Sequence, residues 1–337
     1  MSESELAARF FLSLFTVRRS IELLTNEGWL EKRHGSGIYV KSAKMDKSRT
    51  GVIGVVTTYV DDYIFPSIIQ GIEDVLTQQG YPISLGLTEN KVEKEDSCLR
   101  AMLDQNVDGL IIEGTKSAFP NPNIKLLEEF RQKNIPIVFI NGNYTDFESS
   151  YVLMDDEKSG SMATKYLIDN GHTNIGGIFK SDDIQGHRRY KGFIQACHES
   201  SLTVNEEAVL WYTTEDLNSI FTPEYDPPLM QRFAGCTAIL CYNDQIAVRM
   251  IETIGRSGRH IPEDISIIGF DNFDLCEMSS PKITSITHAR KDMGISAARA
   301  LLRMILSKSP EYLVKLRLPS QLIVRNSVKI LKSGKKK

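Results

Sequence analysis

Past residue 50 the chain alternates short apolar runs with amphipathic stretches. Runs at 52–56, 83–87, 109–112, 135–140 and 151–154 are followed by a second series at 175–179, 208–211, 238–241 and 265–269. The stretches between them have helical period. In the first, Pro66 suits an opening turn, Ile68, Ile69, Ile72, Val75 and Leu76 recur on one side, and Gly80 suits the stop. Strands apolar on both faces and separated by helices belong to parallel sheets covered on both sides, so an α/β fold of doubly wound parallel sheets is predicted. Two series of runs predict two lobes. Between 213 and 234, Pro223, Pro227 and Pro228 interrupt a segment where the alternation predicts a helix.

The first 40 residues follow another pattern. Leu6 and Phe10 stand four apart in a short helical stretch, and a break follows at Leu12-Ser13. Leu14, Val17, Ile21 and Leu24 then recur at helical spacing, with Ser13 as the cap and Gly28 as the stop. Two strand-like runs, 29–32 and 38–40, flank the turn Arg33-His34-Gly35-Ser36-Gly37. Helix, turn, helix and hairpin predict a winged helix-turn-helix over 1–40, and polar, aperiodic residues 41–50 predict a linker. Arg18 and Arg19 lie off the apolar stripe, where a guanidinium can bond guanine or phosphate. Gly35 and Gly37 lead into a strand rather than a helix, which favours a wing tip over a nucleotide loop.

Composition adds limits. A length of 337 residues predicts two or three units. Hydrophobic residues at 41% and charged residues at 25% are those of a globular chain. No apolar run approaches a membrane span, and the start Met1-Ser2-Glu3-Ser4-Glu5 is unlike an export signal, so no membrane partner and a cytoplasmic location are expected. Five cysteines without a C-x-x-C pair predict reduced thiols. The net charge of -3 hides a split: nine Lys/Arg against six acids give the first 50 residues +3, leaving -6 for the rest. A nucleic-acid partner is therefore compatible with the N-terminal part.

In doubly wound sheets ligands bind beyond the carboxyl ends of the strands. There the chain has Thr57-Thr58-Tyr59, Glu113-Gly114-Thr115-Lys116, Asn141-Gly142-Asn143, Asp155-Asp156, Lys180-Ser181-Asp182-Asp183, Tyr242-Asn243-Asp244 and Asp271-Asn272. Carboxylates, amides and cations supply paired donors and acceptors for vicinal hydroxyls, while Tyr59, Tyr63 and Phe65 offer flat faces to a sugar's C–H side. Asp156, Asp183 and Asp244 also stand where helix caps belong; the cap is the preferred reading for Asp156 and Asp244, a ligand contact for Arg189 and Asp271. An enzyme is not expected: the turn 57–61 lacks the glycines of a dinucleotide loop, and the histidines lack metal-ligand spacing, so no cofactor is predicted.

Ser-Glu-Ser-Glu-Leu-Ala at 2–7, Thr16-Val17-Arg18-Arg19, Leu24-Thr25-Asn26-Glu27-Gly28-Trp29-Leu30 and Gly35-Ser36-Gly37-Ile38-Tyr39-Val40 resemble the winged helix of the gluconate-operon repressor (GntR) family. The resemblance implies DNA contacts from Glu3, Thr16, Arg18 and Arg19, and from His34 and Ser36 on a wing entering the minor groove. That family has a further helix before Glu3, so an N-terminally incomplete domain with its first helix missing is expected; Leu14 and Phe11 also replace the family's basic residue and glycine.

Residues 51–330 resemble the sensor of the lactose/galactose repressor (LacI/GalR) family, a two-lobed, type I periplasmic-binding-protein-like fold. The matching pieces include Asp108-Gly109-Leu110-Ile111, Gly171-His172, Arg189 three before Gly192-Phe193, Cys241-Tyr242-Asn243-Asp244 and the run from Ile261-Pro262 to Phe270-Asp271. The resemblance implies sugar contacts at Asp155, Arg189, Asn243 and Asp271, with His288 closing the pocket. It implies an N-terminal lobe of 51–157 plus 289–317, a C-terminal lobe of 158–288 plus 318–330, a basic tail at 331–337 and a homodimer. The pairing of the two parts is similar to the arabinose-responsive repressors of bacilli, on Asp62-Tyr63-Ile64-Phe65-Pro66, Thr115-Lys116 and Asp183 with Gln185-Gly186. That adds Lys116, Asp183 and Gln185 to the contacts and puts L-arabinose first among pentoses and hexoses. The expected function is a sugar-responsive repressor that binds operator DNA; the alternative is a cytoplasmic or exported sugar-binding protein of this fold without effective DNA binding.

Overall fold

A computed structural model describes residues 2–26, 30–33, 37–40, 50–61, 63–307 and 313–331. The chain divides into two compact units, Met1–Thr50 and Gly51–Lys337.

The first unit has the expected elements. Helix α1 (Glu3–Phe10) opens on a capping box in which Ser2 and Glu5 satisfy each other's backbone N–H. Helix α2 (Leu14–Asn26) is started by Ser13, whose Oγ accepts from Thr16 N–H at 3.0 Å. The antiparallel hairpin β1 (Leu30–Arg33) and β2 (Gly37–Val40) follows. Among the described residues Val17 is the buried apolar side chain of this unit; Leu14 and Leu24 of the same stripe are 44% and 40% exposed. Gly28, Trp29, His34, Ser36, the linker 41–49 and the tail from 332 lie outside the described residues.

The second unit holds two six-stranded sheets. The first, in spatial order β4-β3-β5-β6-β7-β13, consists of Ile83–Leu87, Ile53–Thr57, Gly109–Glu113, Ile137–Ile140, Ser150–Met154 and Lys315–Leu318, all parallel. The second, β9-β8-β10-β11-β12-β14, consists of Val209–Tyr212, Ile175–Lys180, Ala238–Cys241, Ser266–Asp271, Thr284–Thr287 and Leu322–Ile323. Here β14 runs antiparallel to β12, a departure from the all-parallel expectation. Helices α3 (Phe65–Gln78), α4 (Val92–Asp104), α5 (Ile124–Gln132) and α11 (Arg290–Leu306) flank the first sheet. Helices α6 (Asp156–Asp169), α7 (Ile184–Glu199), α8 (Asp226–Arg232), α9 (Asp244–Arg256) and α10 (Leu275–Met278) belong with the second. Pro227 and Pro228, expected to break a helix, open one instead: they occupy the first turn of α8, where a missing N–H costs nothing.

The chain passes between the sheets at three places: from Met154 to Asp156, from Thr287 to Arg290, and from Leu318 to Leu322. Asp155 N–H donates to Leu318 O at 3.1 Å and Thr287 N–H to Gln321 O at 2.8 Å, so the crossings are bonded side by side.

Each lobe has one helix pair in backbone contact. A Cβ on Gly71 of α3 would fall 2.3 Å from Lys291 O on α11, and one on Gly294 of α11 would fall 2.1 Å from Ile68 O. The same holds for α6 and α7, where a Cβ on Gly160 would fall 2.2 Å from Arg189 O and one on Gly192 would fall 2.0 Å from Glu157 O.

Candidate functional site

The carboxyl ends of both sheets face one cleft, which encloses a cavity of about 140 Å³. Tyr59, Tyr63 and Phe65, on the segment after β3, line one side. Asp183, which caps α7, Gln185 and Arg189 in its first two turns, Asn243 beyond β10 and Asp271 at the end of β11 line the other. All eight are residues to which the strand-end pattern or the resemblance points.

Arg189 organises the C-terminal side. Its side chain is 3% exposed. Nε donates to Asp156 Oδ1 at 2.9 Å, Nη1 to Tyr242 O at 2.5 Å and Nη2 to Asp271 Oδ1 at 3.2 Å. The guanidinium also lies 4.6 Å from the Phe270 ring centroid and 5.0 Å from that of Tyr242. Burial opposes its charge, but Asp271 and Asp156 more than restore it. From the opposite lobe the Tyr63 hydroxyl donates toward Asp271 Oδ2 at 2.8 Å and accepts from Asp244 N–H at 3.2 Å. Tyr63 and Asp271 have φ of 61° and 92°, conformations that non-glycine residues take up mainly where surrounding contacts hold them.

Asp156 and Asp244 are not the caps they were expected to be. The preceding residues do that work: Asp155 accepts from Lys158 N–H and Asn243 from Ile246 N–H. This leaves Asp156 to pair with Arg189, and Asp244 to accept from Ser285 Oγ at 2.7 Å and Phe273 N–H at 2.8 Å. Burial pushes the Asp156 carboxyl up to about 6 against the pull of Arg189; burial reinforced by Asp271 pushes Asp244 up to about 7. Asp183 fills both roles, capping α7 and lining the cavity.

Three expected sugar contacts stand elsewhere. Lys116 Nζ donates to both oxygens of Glu215, at 2.7 and 2.8 Å, and lies 3.6 Å from Asp182, so acids of the facing lobe take up its charge. Asp155, held by the open N–H groups of α6, lines a surface crevice with Glu157, Lys158 and Arg317. His288 is buried behind Asn141, its Nε2 3.2 Å from Asn141 Oδ1.

The cavity also takes in Thr58, Asn90, Glu113, Lys180, Tyr212, Thr214 and Tyr242. Glu113, Lys180 and Tyr242 stand at strand ends among the polar residues noted there; Asn90 and Thr214 lie on loops that no strand pattern marks. Glu113 accepts from Thr58 N–H at 3.1 Å, Thr58 Oγ1 at 2.6 Å and Asn141 Nδ2 at 2.9 Å, and burial raises its pKa. Burial likewise works against the Asp183 carboxylate, but Lys180 and the Tyr242 hydroxyl, 2.6 Å away, hold its pKa down. Across the mouth, Asn90 Nδ2 donates to Asp182 Oδ2 at 3.1 Å and to Thr214 Oγ1 at 2.6 Å, and Ser117 Oγ to Asp183 Oδ1 at 3.2 Å. The lobes are thus closed on each other by direct bonds.

In the first unit, Glu3 and Arg18 come together, Arg18 Nε donating to Glu3 Oε2 at 2.8 Å; Arg18 remains 68% exposed. Arg19 and Thr16 are exposed, and Thr16 Oγ1 lies 2.7 Å from Ser13 Oγ. No described helix is long and apolar enough to cross a membrane.

Comparison with known proteins agrees with this division. Residues 1–40 match the gntR family of bacterial regulatory proteins and residues 164–328 the periplasmic binding protein-like domain. The chain is 39% identical over 309 residues to the arabinose metabolism transcriptional repressor of Halalkalibacterium halodurans, covering 90% of this chain and 82% of that one. It is 39% identical over 338 residues to the protein of the same name from Geobacillus stearothermophilus, covering 97% and 91%. A LacI family regulator from Enterococcus faecium, solved with bound ribose, superposes with a TM-score of 0.69 at 25% identity, over 83% of this chain and all of the other. At that identity and coverage the chain belongs to the family of sugar-responsive transcriptional repressors that join a GntR-type DNA-binding domain to a LacI-type, periplasmic-binding-protein-like sensor.

Proposed function

We propose that residues 1–40 hold an operator, that the cleft takes a neutral monosaccharide with L-arabinose first, and that sugar and operator oppose each other. The observation that carries the reading is the constellation of Arg189, Asp271 and Tyr63, in which side chains of both lobes converge on one small cavity. Its volume of about 140 Å³ lies below the roughly 300–1,000 Å³ of drug-sized pockets, which suits a single sugar ring. Acids and cations stand side by side along its wall, so an uncharged polyol finds donors and acceptors together without bringing a charge that must be buried. The names of the relatives and the ribose held by the E. faecium regulator point to pentoses. No catalytic step is assigned to the cleft, and the protein acts in the cytoplasm, beside its operator. The two lobes are 51–157 plus 289–317 and 158–288 plus 318–330. Two copies pair through the sensor: Leu85 and Leu87 on edge strand β4 are 40% and 38% exposed, an apolar edge that a second chain would cover.

Linkage sets the size of the effect. A coupling of about 1–3 kcal/mol lowers operator affinity roughly 5- to 150-fold when sugar is saturating. The test is a thermal-shift screen with arabinose, xylose, ribose, galactose and glucose, since binding to the folded state raises the midpoint, followed by anisotropy titration of a selected operator fragment with and without the winning sugar. Operator affinity that stays the same with every sugar of the panel would sink the reading.

Arg18 allows DNA reading to be separated from folding. Its ion pair with Glu3 is exposed and adds about 0–1 kcal/mol to stability. A bond from the same side chain to a base or phosphate is worth about 1–3 kcal/mol of binding. Arg18→Ala is therefore expected to weaken the operator complex about tenfold or more while the sugar-induced midpoint shift is unchanged. Wild-type DNA affinity in this variant would show that α2 is not the reader.

A further inference from the structure

His288 does not line the cavity, yet through Asn141 it is linked to Glu113, which does. We infer that His288 is a positioning residue: through Asn141 it fixes the Glu113 carboxylate of the cleft as a hydroxyl acceptor, and so ties sugar occupancy to the crossover on which it sits. The inference rests on the cleft being the sugar site.

Both Glu113 oxygens are bonded, Oε2 to the backbone and hydroxyl of Thr58 and Oε1 to the Asn141 amide at 2.9 Å. Because Asn141 Nδ2 donates to that carboxylate, Asn141 Oδ1 faces the other way and accepts. The group it faces is His288 Nε2 at 3.2 Å, so Nε2 must carry the proton. His288 Nδ1 is buried and has no hydrogen-bond partner among the described residues, which is compatible with a bare lone pair there. Burial, with Arg189 and Arg290 acting in the same direction and Asp271 against them, lowers the ring's pKa to about 4 and keeps it neutral.

The neutral Nε2–H tautomer therefore gives the Asn141 oxygen its donor while the NH2 donates to Glu113, and the two bonds together fix the amide. Without that donor the Asn141 oxygen loses a buried partner, and the amide is held on Glu113 from its NH2 end alone. The location gives this bond its consequence: His288 follows β12 (Thr284–Thr287) and precedes α11 (Arg290–Leu306), within one of the three passages between lobes. A change in that passage moves the ring, the amide and the cleft carboxylate together.

The test compares His288→Ala with His288→Gln in the full chain, the amide N–H of Gln restoring a donor. The readouts are affinity for the sugar that gives the largest thermal shift, and the fold-release of operator at saturating sugar. His288→Ala is expected to weaken sugar binding about tenfold and to reduce the fold-release, with His288→Gln within about threefold of wild type on both. An alanine variant that matches wild type on both readouts overturns the inference, as does a glutamine variant no better than alanine. A spectrum of ¹⁵N-histidine-labelled wild type, assigned by the resonance missing in His288→Gln, guards against a variant that fails to fold. A neutral Nε2–H signal for His288 supports the chain of bonds and an Nδ1–H signal refutes it. If no sugar in the panel binds wild type, the sugar reading fails on its own, and the tautomer still decides whether His288 sets the Asn141 amide.

Discussion

Arg189→Ala is expected to abolish the sugar response. Three guanidinium donors are committed, to Asp156, Tyr242 O and Asp271, in a site where the side chain is 3% exposed. Removing it leaves two carboxylates buried without their cation, a loss of about 3–5 kcal/mol for a broken buried pair. Asp271 also holds Tyr63 from the other lobe, so the cavity wall loses its order as well as one donor set. Sugar affinity should fall more than a hundredfold, and the thermal midpoint should fall with it. Arg189→Lys should rescue little, because an ammonium cannot reach three acceptors in a fork. The pH dependence gives a second check. Asp156, raised to about 6 even with Arg189 present, contributes stability that is full below its ordinary value and is lost as pH rises through the folded value. Without the arginine that value rises further, so the variant's deficit in midpoint should narrow on going from pH 7 to pH 4. Near-native sugar affinity by calorimetry, or a deficit that widens in acid, would count against this account of the site.

Much of this site is legible in the sequence because parallel strands buried on both faces leave an unmistakable apolar run, and the residue after each run faces the cleft. That rule reaches Tyr59, Asp183, Asn243 and Asp271 without a structure. It fails where a neighbour one residue away competes for the same task. Asp155 and Asn243 take the open helix N–H groups, and Asp156 and Asp244 are pushed inward to pair with buried partners; two adjacent polar residues give no sign of which will turn. It fails again where the deciding partner is remote in sequence, as Glu215 is for Lys116 and Asn141 for His288. The edge strands β13 and β14 leave no such mark because they are short and lack a doubly buried run. Pro227 and Pro228 mislead for a different reason: proline forbids a helix interior but suits its first turn, and only the chain's path tells which one applies.

Gly160→Val is expected to unseat Arg189 without touching any group in the cavity. Glycine within a helix costs about 1 kcal/mol relative to alanine, so its presence in both α6 and α7 calls for a packing reason. The reason is backbone contact: a Cβ on Gly160 would stand 2.2 Å from the carbonyl oxygen of Arg189 itself, and one on Gly192 2.0 Å from Glu157 O. No rotamer relieves an overlap at Cβ, so the helices must part. Asp156 is on α6 and Arg189 on α7, and their 2.9 Å bond spans the gap that would open. Overpacking of this kind costs about 3 kcal/mol, a fall of roughly 6–12 °C in midpoint for a lobe of this size. Sugar affinity should drop by at least tenfold in the fraction that remains folded, because the fork is displaced from both carboxylates. Gly255→Ala on α9 is the control, since a Cβ there meets nothing within 4 Å; that variant should match or exceed wild type in stability and keep its sugar affinity. If Gly160→Val melted with wild type and bound sugar as tightly, close approach of α6 and α7 would not be what holds Arg189 in place.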